Sequence, residues 1–121
     1  MIKLVFCCRR NPAMSREEFQ RYWLEQHGPL VRSLHADLPQ MRRYVQSHTI
    51  DGPANDGVRA SRGSAEPYDG ITEVWFDDLA GMGSSGSEAA AEAGRRLLED
   101  ERGFLDLAAS SIFLTVEHEI F

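Results

Sequence analysis

Tyr68-Asp69-Gly70-Ile71-Thr72-Glu73-Val74-Trp75-Phe76 interleaves two sets of side chains. One set is Asp69, Ile71, Glu73 and Trp75; the other is Thr72, Val74 and Phe76. Successive residues of a strand point to opposite faces. Both sets are substantially apolar, so the pattern predicts a strand in the middle of a sheet, covered on both sides. Ile2 to Cys8, apolar nearly throughout, predicts a second strand of that kind. Met41 to Ile50 predicts another, with Tyr44, Gln46 and His48 on one face and Arg43, Val45 and Ser47 on the other. Ser111 to Phe121 supplies a fourth.

The connections carry helix signals. After a turn at Asn11-Pro12, Ser15 is an N-cap and Glu18 completes a capping box, with Met14 and Phe19 as the hydrophobic staple. Phe19, Tyr22, Trp23 and Gln26 then follow the spacing of one buried helix face. Gly28-Pro29 is expected to stop or bend this helix just after His27, with a further turn or two carrying Leu30, Val31 and Leu34. Glu88 to Glu101 predicts a second helix, with Ala90, Ala93, Leu97 and Leu98 inward and Gly103 at its C-terminal stop. Asp51 to Glu66 has no periodicity and is expected to be a long mobile loop covering a cavity mouth. Gly81 to Ser87 reads as a flexible Gly/Ser connection.

The order β-α-β-β-α-β is the split β-α-β, or ferredoxin-like, arrangement. The expected fold is therefore α+β: one domain over residues 1–121, with a four-stranded antiparallel sheet and two helices on one face. The helices cover one side only. The other apolar side is expected to meet a second copy, giving a homodimer whose two sheets close a dimeric α/β barrel with a cavity in each half.

Composition excludes several classes. Thirteen basic residues against nineteen acidic ones leave a net charge of −6, and Lys3 is the sole lysine. Such a balance does not neutralise phosphates, so no nucleic-acid partner is expected. No apolar run approaches the ~20 residues of a membrane span. Leu4 to Cys8 is too short for a signal-peptide core and Arg9-Arg10 lies on its wrong side, so a cytoplasmic location with no membrane partner is expected. Cys7 and Cys8 alternate on a strand and read as two free thiols. No P-loop, dinucleotide fingerprint or nucleophile elbow occurs, and Ser84-Ser85-Gly86-Ser87 lacks the lysine of a phosphate cradle. In Glu117-His118-Glu119 the histidine faces away from both acids, so no metal site is expected there.

Three residues are candidates for proton transfer. His27 is expected at a helix C-terminus, where the dipole favours the imidazolium and suits a general acid or base; the alternative is a histidine capping carbonyls. Tyr44 presents a phenol able to bond or protonate a substrate oxygen, or packs as an aromatic in the sheet interface. Glu73, between Ile71 and Trp75, needs a partner if buried, with His27, Arg43 and Arg10 as candidates; it is either a proton carrier or half of a salt bridge. Trp75, His48 and Phe76 are candidate substrate-binding residues, Trp75 and Phe76 on opposite faces.

Arg9 to Phe19, continuing through Tyr22-Trp23 to His27-Gly28-Pro29-Leu30-Val31, resembles the opening of the EthD family. Tyr68 to Asp77 and Asp100-Glu101-Arg102-Gly103-Phe104-Leu105-Asp106 extend the resemblance across nearly the whole chain except Asp51 to Glu66. It implies a dimeric α/β barrel. Relatives include tailoring enzymes of aromatic polyketide pathways and a lactone methylisomerase, which act on small cyclic or aromatic substrates without metal or organic cofactor. The isomerase-like relatives use a third-strand cysteine, where this chain has Glu73-Val74. The resemblance thus implies a cofactor-free lyase or isomerase of a small hydrophobic or aromatic ring. The alternatives are a non-catalytic small-molecule-binding or accessory module of a degradation pathway, and a haem-associated barrel with His27 as ligand.

Overall fold

A computed structural model describes residues 1–83 and 87–121. Strands β1 (Ile2–Cys8), β2 (Arg43–His48), β3 (Gly70–Phe76) and β4 (Ser111–Val116) form one sheet in the order β2-β3-β1-β4, with every neighbouring pair antiparallel. The two apolar strands, β1 and β3, occupy the middle, as their patterns require. The register opposes Tyr44 to Val74 to Leu4, and Gln46 to Thr72 to Phe6. Those side chains face the helices, as do Phe76 and Cys8; Val74, Thr72, Phe6, Phe76 and Cys8 are buried, and Tyr44, Leu4 and Gln46 partly so. The opposite, open face carries Val45, Glu73, Val5 and Phe113 in one row and Arg43, Trp75, Lys3 and Thr115 in the next. Trp75 and Phe76 are thereby assigned: Phe76 lies under the helices and Trp75 on the open face.

The first helix begins as its capping box dictates. The Ser15 hydroxyl accepts from the Glu18 amide at 3.1 Å, and the Glu18 carboxylate accepts from the Ser15 amide at 3.2 Å. Met14 packs against the core beside Phe19. Helix α1 (Arg16–Tyr22) does not stop at Gly28-Pro29. It runs through a wide π-helical turn (Trp23–His27) into α2 (Gly28–Leu34), with the Gly28 amide bonded to the Trp23 carbonyl five residues back. Pro29 falls in the first turn of α2, where a missing N–H costs little. The extra residue rotates the inward face, so Gln26 is exposed and His27, at 4% exposure, takes its place.

Residues 51–66 are not a loop. Helix α3 (Pro53–Arg62) occupies most of them, with Pro53 in its first turn and Gly63 ending it in the left-handed conformation at φ 61°. None of its residues is buried, and its helical period, Ala54, Gly57 and Val58 against Asp56, Arg59 and Arg62, rests on small residues and a single valine. A short α4 (Leu79–Gly83) takes the start of the expected Gly/Ser connection, whose residues 84–86 lie outside the described residues. Helix α5 (Glu88–Phe104), capped by Ser87, continues past Gly103 and turns Ala90, Ala93 and Phe104 fully inward; Leu98 faces solvent instead.

Under the helices the core divides into two clusters. One gathers Phe6, Cys8, Phe19, Trp23, Phe104 and Leu105; the other gathers Leu34, Leu38, Ala90 and Ala93. Trp23 is seated over Gly70, and a Cβ added there would overlap the Trp23 ring and stand 2.9 Å from the Ser47 carbonyl. Gly70→Ala therefore has to displace either the indole or strand β2. It is expected to cost about 1–3 kcal/mol and to lower the melting temperature by about 5 °C or more, as followed by circular dichroism; an unchanged melting curve would contradict this packing.

Candidate functional site

Between the sheet and the helices, where the two core clusters fail to meet, lies a cavity of about 180 Å³. Its floor is apolar, built from Leu4, Phe6, Val74 and Phe76, and Phe104 and Leu97 supply part of the helical wall. Four polar side chains reach it: His27 from the π-helical turn, Tyr44 from β2, Thr72 from β3 and Glu101 from α5.

His27 is held by Asp100. With the carboxylate as acceptor, the ring donates from Nδ1 to Asp100 Oδ2 at 2.7 Å, while the Tyr22 hydroxyl donates to the other carboxylate oxygen. That second bond pushes the Tyr22 phenol up to about 12. The Phe104 ring lies 4.9 Å from the imidazole centroid and fixes its tilt. Burial lowers the His27 pKa, against the opposing pull of Asp100. The expected dipole effect is absent because the helix does not end at His27. The ring is thus neutral near pH 7, protonated on Nδ1, with Nε2 a lone-pair acceptor that no described residue engages.

Tyr44 is oriented by a file of alternate β2 side chains. His48 Nε2 donates to Gln46 Oε1 at 2.8 Å, and Gln46 Nε2 donates to the Trp23 carbonyl at 2.9 Å and to the Tyr44 oxygen at 3.3 Å. The phenol oxygen accepts from Gln46, and the Trp23 and Thr72 side chains also lie against it, so it sits among several polar groups at the cavity edge. Burial raises its pKa, so it stays a donor. His48 itself stacks on Trp23, with ring centroids 4.4 Å apart, and does not line the cavity.

Glu73 and Trp75 lie on the other side of the sheet. Glu73 pairs with Lys3 at 2.7 Å and with none of the three expected partners; Arg43 lies over the Trp75 ring and Trp75 Nε1 donates to Glu117. Neither side chain reaches the cavity, because strand parity sends residues 73 and 75 away from 72, 74 and 76. Of the expected site residues the structure brings together His27, Tyr44 and Phe76, and separates Glu73, Trp75 and His48. Residues 51–66 contribute nothing to the cavity wall.

Asp100 and Glu101 were not anticipated as site residues. Their signal is the helix period: Ala90, Ala93, Leu97 and Phe104 mark one inward face of α5, and position 101 continues it, four after Leu97 and three before Phe104. Burial pushes the Glu101 carboxyl up to about 7, and the Asp100 charge adds to the rise. Among the described residues no three His, Cys, Asp or Glu side chains converge as a metal-ligand set.

The EthD domain family matches residues 11–108. The chain belongs to the EthD family. This EthD domain is also similar to solved structures. An EthD family protein from Bacillus halodurans aligns with a TM-score of 0.63 at 16% identity, covering 98% of this chain and 99% of that one. A dimeric ferredoxin-like protein of unknown function from Thermobifida fusca aligns at 0.62 and 16% identity, over 96% of this chain and 90% of that one. An EthD-like protein from Ralstonia eutropha gives 0.59 and 16%, over 97% and 95%. At such identity these likenesses establish the ferredoxin-like fold. A search of curated proteins finds no significant match.

The raised Glu101 pKa makes stability depend on pH. An unfolded Glu carboxyl titrates near 4.5 and the folded one near 7, so between these values the native state holds a proton that the unfolded state has lost. The Glu101 contribution therefore falls as pH rises from about 4.5 to 7 and is level above. Glu101→Gln, which does not ionise, should match the native melting temperature at pH 4 and exceed it by about 5 °C above pH 7. Parallel melting curves across that range would refute the burial of this carboxyl.

Proposed function

We propose that this EthD domain is a cofactor-independent enzyme that moves protons on a small hydrophobic or aromatic ring, in a reaction of the decarboxylation, dehydration, cyclisation or isomerisation type. The observation that carries the proposal is His27, clamped by Asp100 and presenting an unengaged Nε2 where it lines an apolar cavity. Neutral His27 accepts the proton at Nε2. Asp100 steadies the resulting imidazolium while holding the tautomer. The Tyr44 hydroxyl donates to the oxygen on which negative charge develops. The apolar walls lower the local dielectric, which strengthens each of these interactions. Apolar cavities of about 150 Å³ hold a benzene ring, so a volume near 180 Å³ suits one substituted ring.

Proton abstraction from a bound ring leaves a trace even before the product is known. In deuterium oxide, cyclic ketones and phenols that bind should exchange ring or α-carbon hydrogens faster than in buffer, as read by proton NMR. His27→Ala should slow that exchange by about 10²- to 10⁴-fold, and His27→Gln should not restore it. Binding with no catalysed exchange for any compound would reduce the domain to a binding module.

The same reading includes a homodimer. Val5, Val45, Ile71, Trp75 and Phe113 give the open sheet face an apolar centre that no helix covers, and Ile71 and Phe113 are 37% and 48% exposed. Solved proteins of this fold from Bacteroides fragilis, Thermobifida fusca and a Jannaschia species are described as dimeric. The face is expected to bury more than about 1,200 Å² in total against its copy. Light scattering at micromolar concentration should give twice the 13.6 kDa chain mass; a clean monomer would sink the proposal.

A further inference from the structure

Of the four described polar side chains at the cavity, Glu101 is the one with no partner in the fold. It stands at an inward position of α5, between Leu97 and Phe104, where the other inward residues are apolar. Its carboxyl has no hydrogen bond or ion pair with any described residue, whereas Asp100 beside it is bonded on both oxygens. Among the described residues no cation offsets it; the charge that acts on it is that of Asp100, which repels. The residue is partly buried, and a carboxylate that loses part of its water against apolar walls without gaining a partner carries a cost. Such a cost is recovered when a ligand supplies the missing donor.

We propose that Glu101 is a specificity-determining residue of the cavity, selecting rings that carry a hydrogen-bond donor, a hydroxyl or an N–H, which its carboxyl accepts. The inference rests on the reading of the cavity as a ring-binding site and adds what that ring must bear. When ionised the carboxylate is acceptor-only and forms the stronger, charge-assisted bond with such a donor. Tyr44 and Thr72 enter from other elements and bring hydroxyls that serve ring oxygens; among the described residues Glu101 is the sole acid at the cavity wall. The ring is then held from two sides, its donor by α5 and its reacting position by His27.

The test uses two probes of similar shape, 4-fluorophenol and 4-fluorotoluene, titrated at pH 8 and read by fluorine NMR as the ratio of their dissociation constants. Replacing Glu101 with Leu should shift that ratio against 4-fluorophenol by about tenfold or more, the usual worth of a hydrogen bond to a charged group. Affinity for 4-fluorotoluene should hold or improve. Glu101→Gln keeps the shape and the carbonyl but not the charge, and should shift the ratio by about threefold or more; it decides the matter if the Leu variant does not fold. A ratio unchanged within about twofold in the folded variants would overturn the role of Glu101 while leaving ring binding standing. Failure of both probes to bind the native protein would overturn this inference and the ring-binding reading together.

Discussion

Between Trp23 and His27 the first helix holds one residue more than an α-turn, and the Gly28 amide reaches back to the Trp23 carbonyl. Much of the molecule depends on that register. On the N-terminal side it leaves Phe19 and Trp23 buried, with the indole seated on Gly70 and stacked against His48. On the C-terminal side it swings His27 inward and turns Gln26 out to solvent. A regular helix would put position 26 over the sheet, and the carboxylate of α5 would have no imidazole to hold. π-helical turns of this kind recur at functional sites because they re-aim a side chain without ending the helix.

Asp100 is the counterpart on the second helix. One carboxylate takes a donor from Tyr22 and another from His27, so it ties α5 to the first helix and fixes the imidazole in the same act. The next residue, Glu101, turns by one helical step into the apolar cavity and finds no donor. Two adjacent acids thus have opposite circumstances. Asp100 is matched and structural in its placement of His27, whereas Glu101, partly buried and without a partner among the described residues, is repelled by its neighbour and pushed up to about 7. The difference arises from the 100° between successive residues of a helix, not from composition.

The sheet separates two duties by strand parity. Thr72, Val74 and Phe76 build the cavity floor with Leu4 and Phe6, while Ile71, Glu73 and Trp75 form the open face with Lys3 and Val5. The Lys3–Glu73 pair, with Glu117 and Arg43 about Trp75, sets charges around an otherwise apolar surface. The carboxylate on that face, Glu73, has Lys3 as its partner, which Glu101 lacks.

The strands, their alternation, the capping box at Ser15 and the family could be read from residue order alone, because each is a local or period-two property. Helix α3 was hidden because its period is carried by small residues, Ala54 and Gly57, with Val58 the one large apolar side chain; Pro53 and Gly63 were further signals to weigh. His27, Tyr44 and Phe76 were legible as candidates, but the choice between Trp75 and Phe76, and between Glu73 and Glu101, was not. Parity says that two sets of side chains face opposite ways. It does not say which set the helices cover, and when both are apolar only the packed structure decides. The π-helical turn was equally out of reach, because Gly28-Pro29 marks a break in local geometry while the tertiary contacts of Trp23 and Asp100 turn it into a change of register.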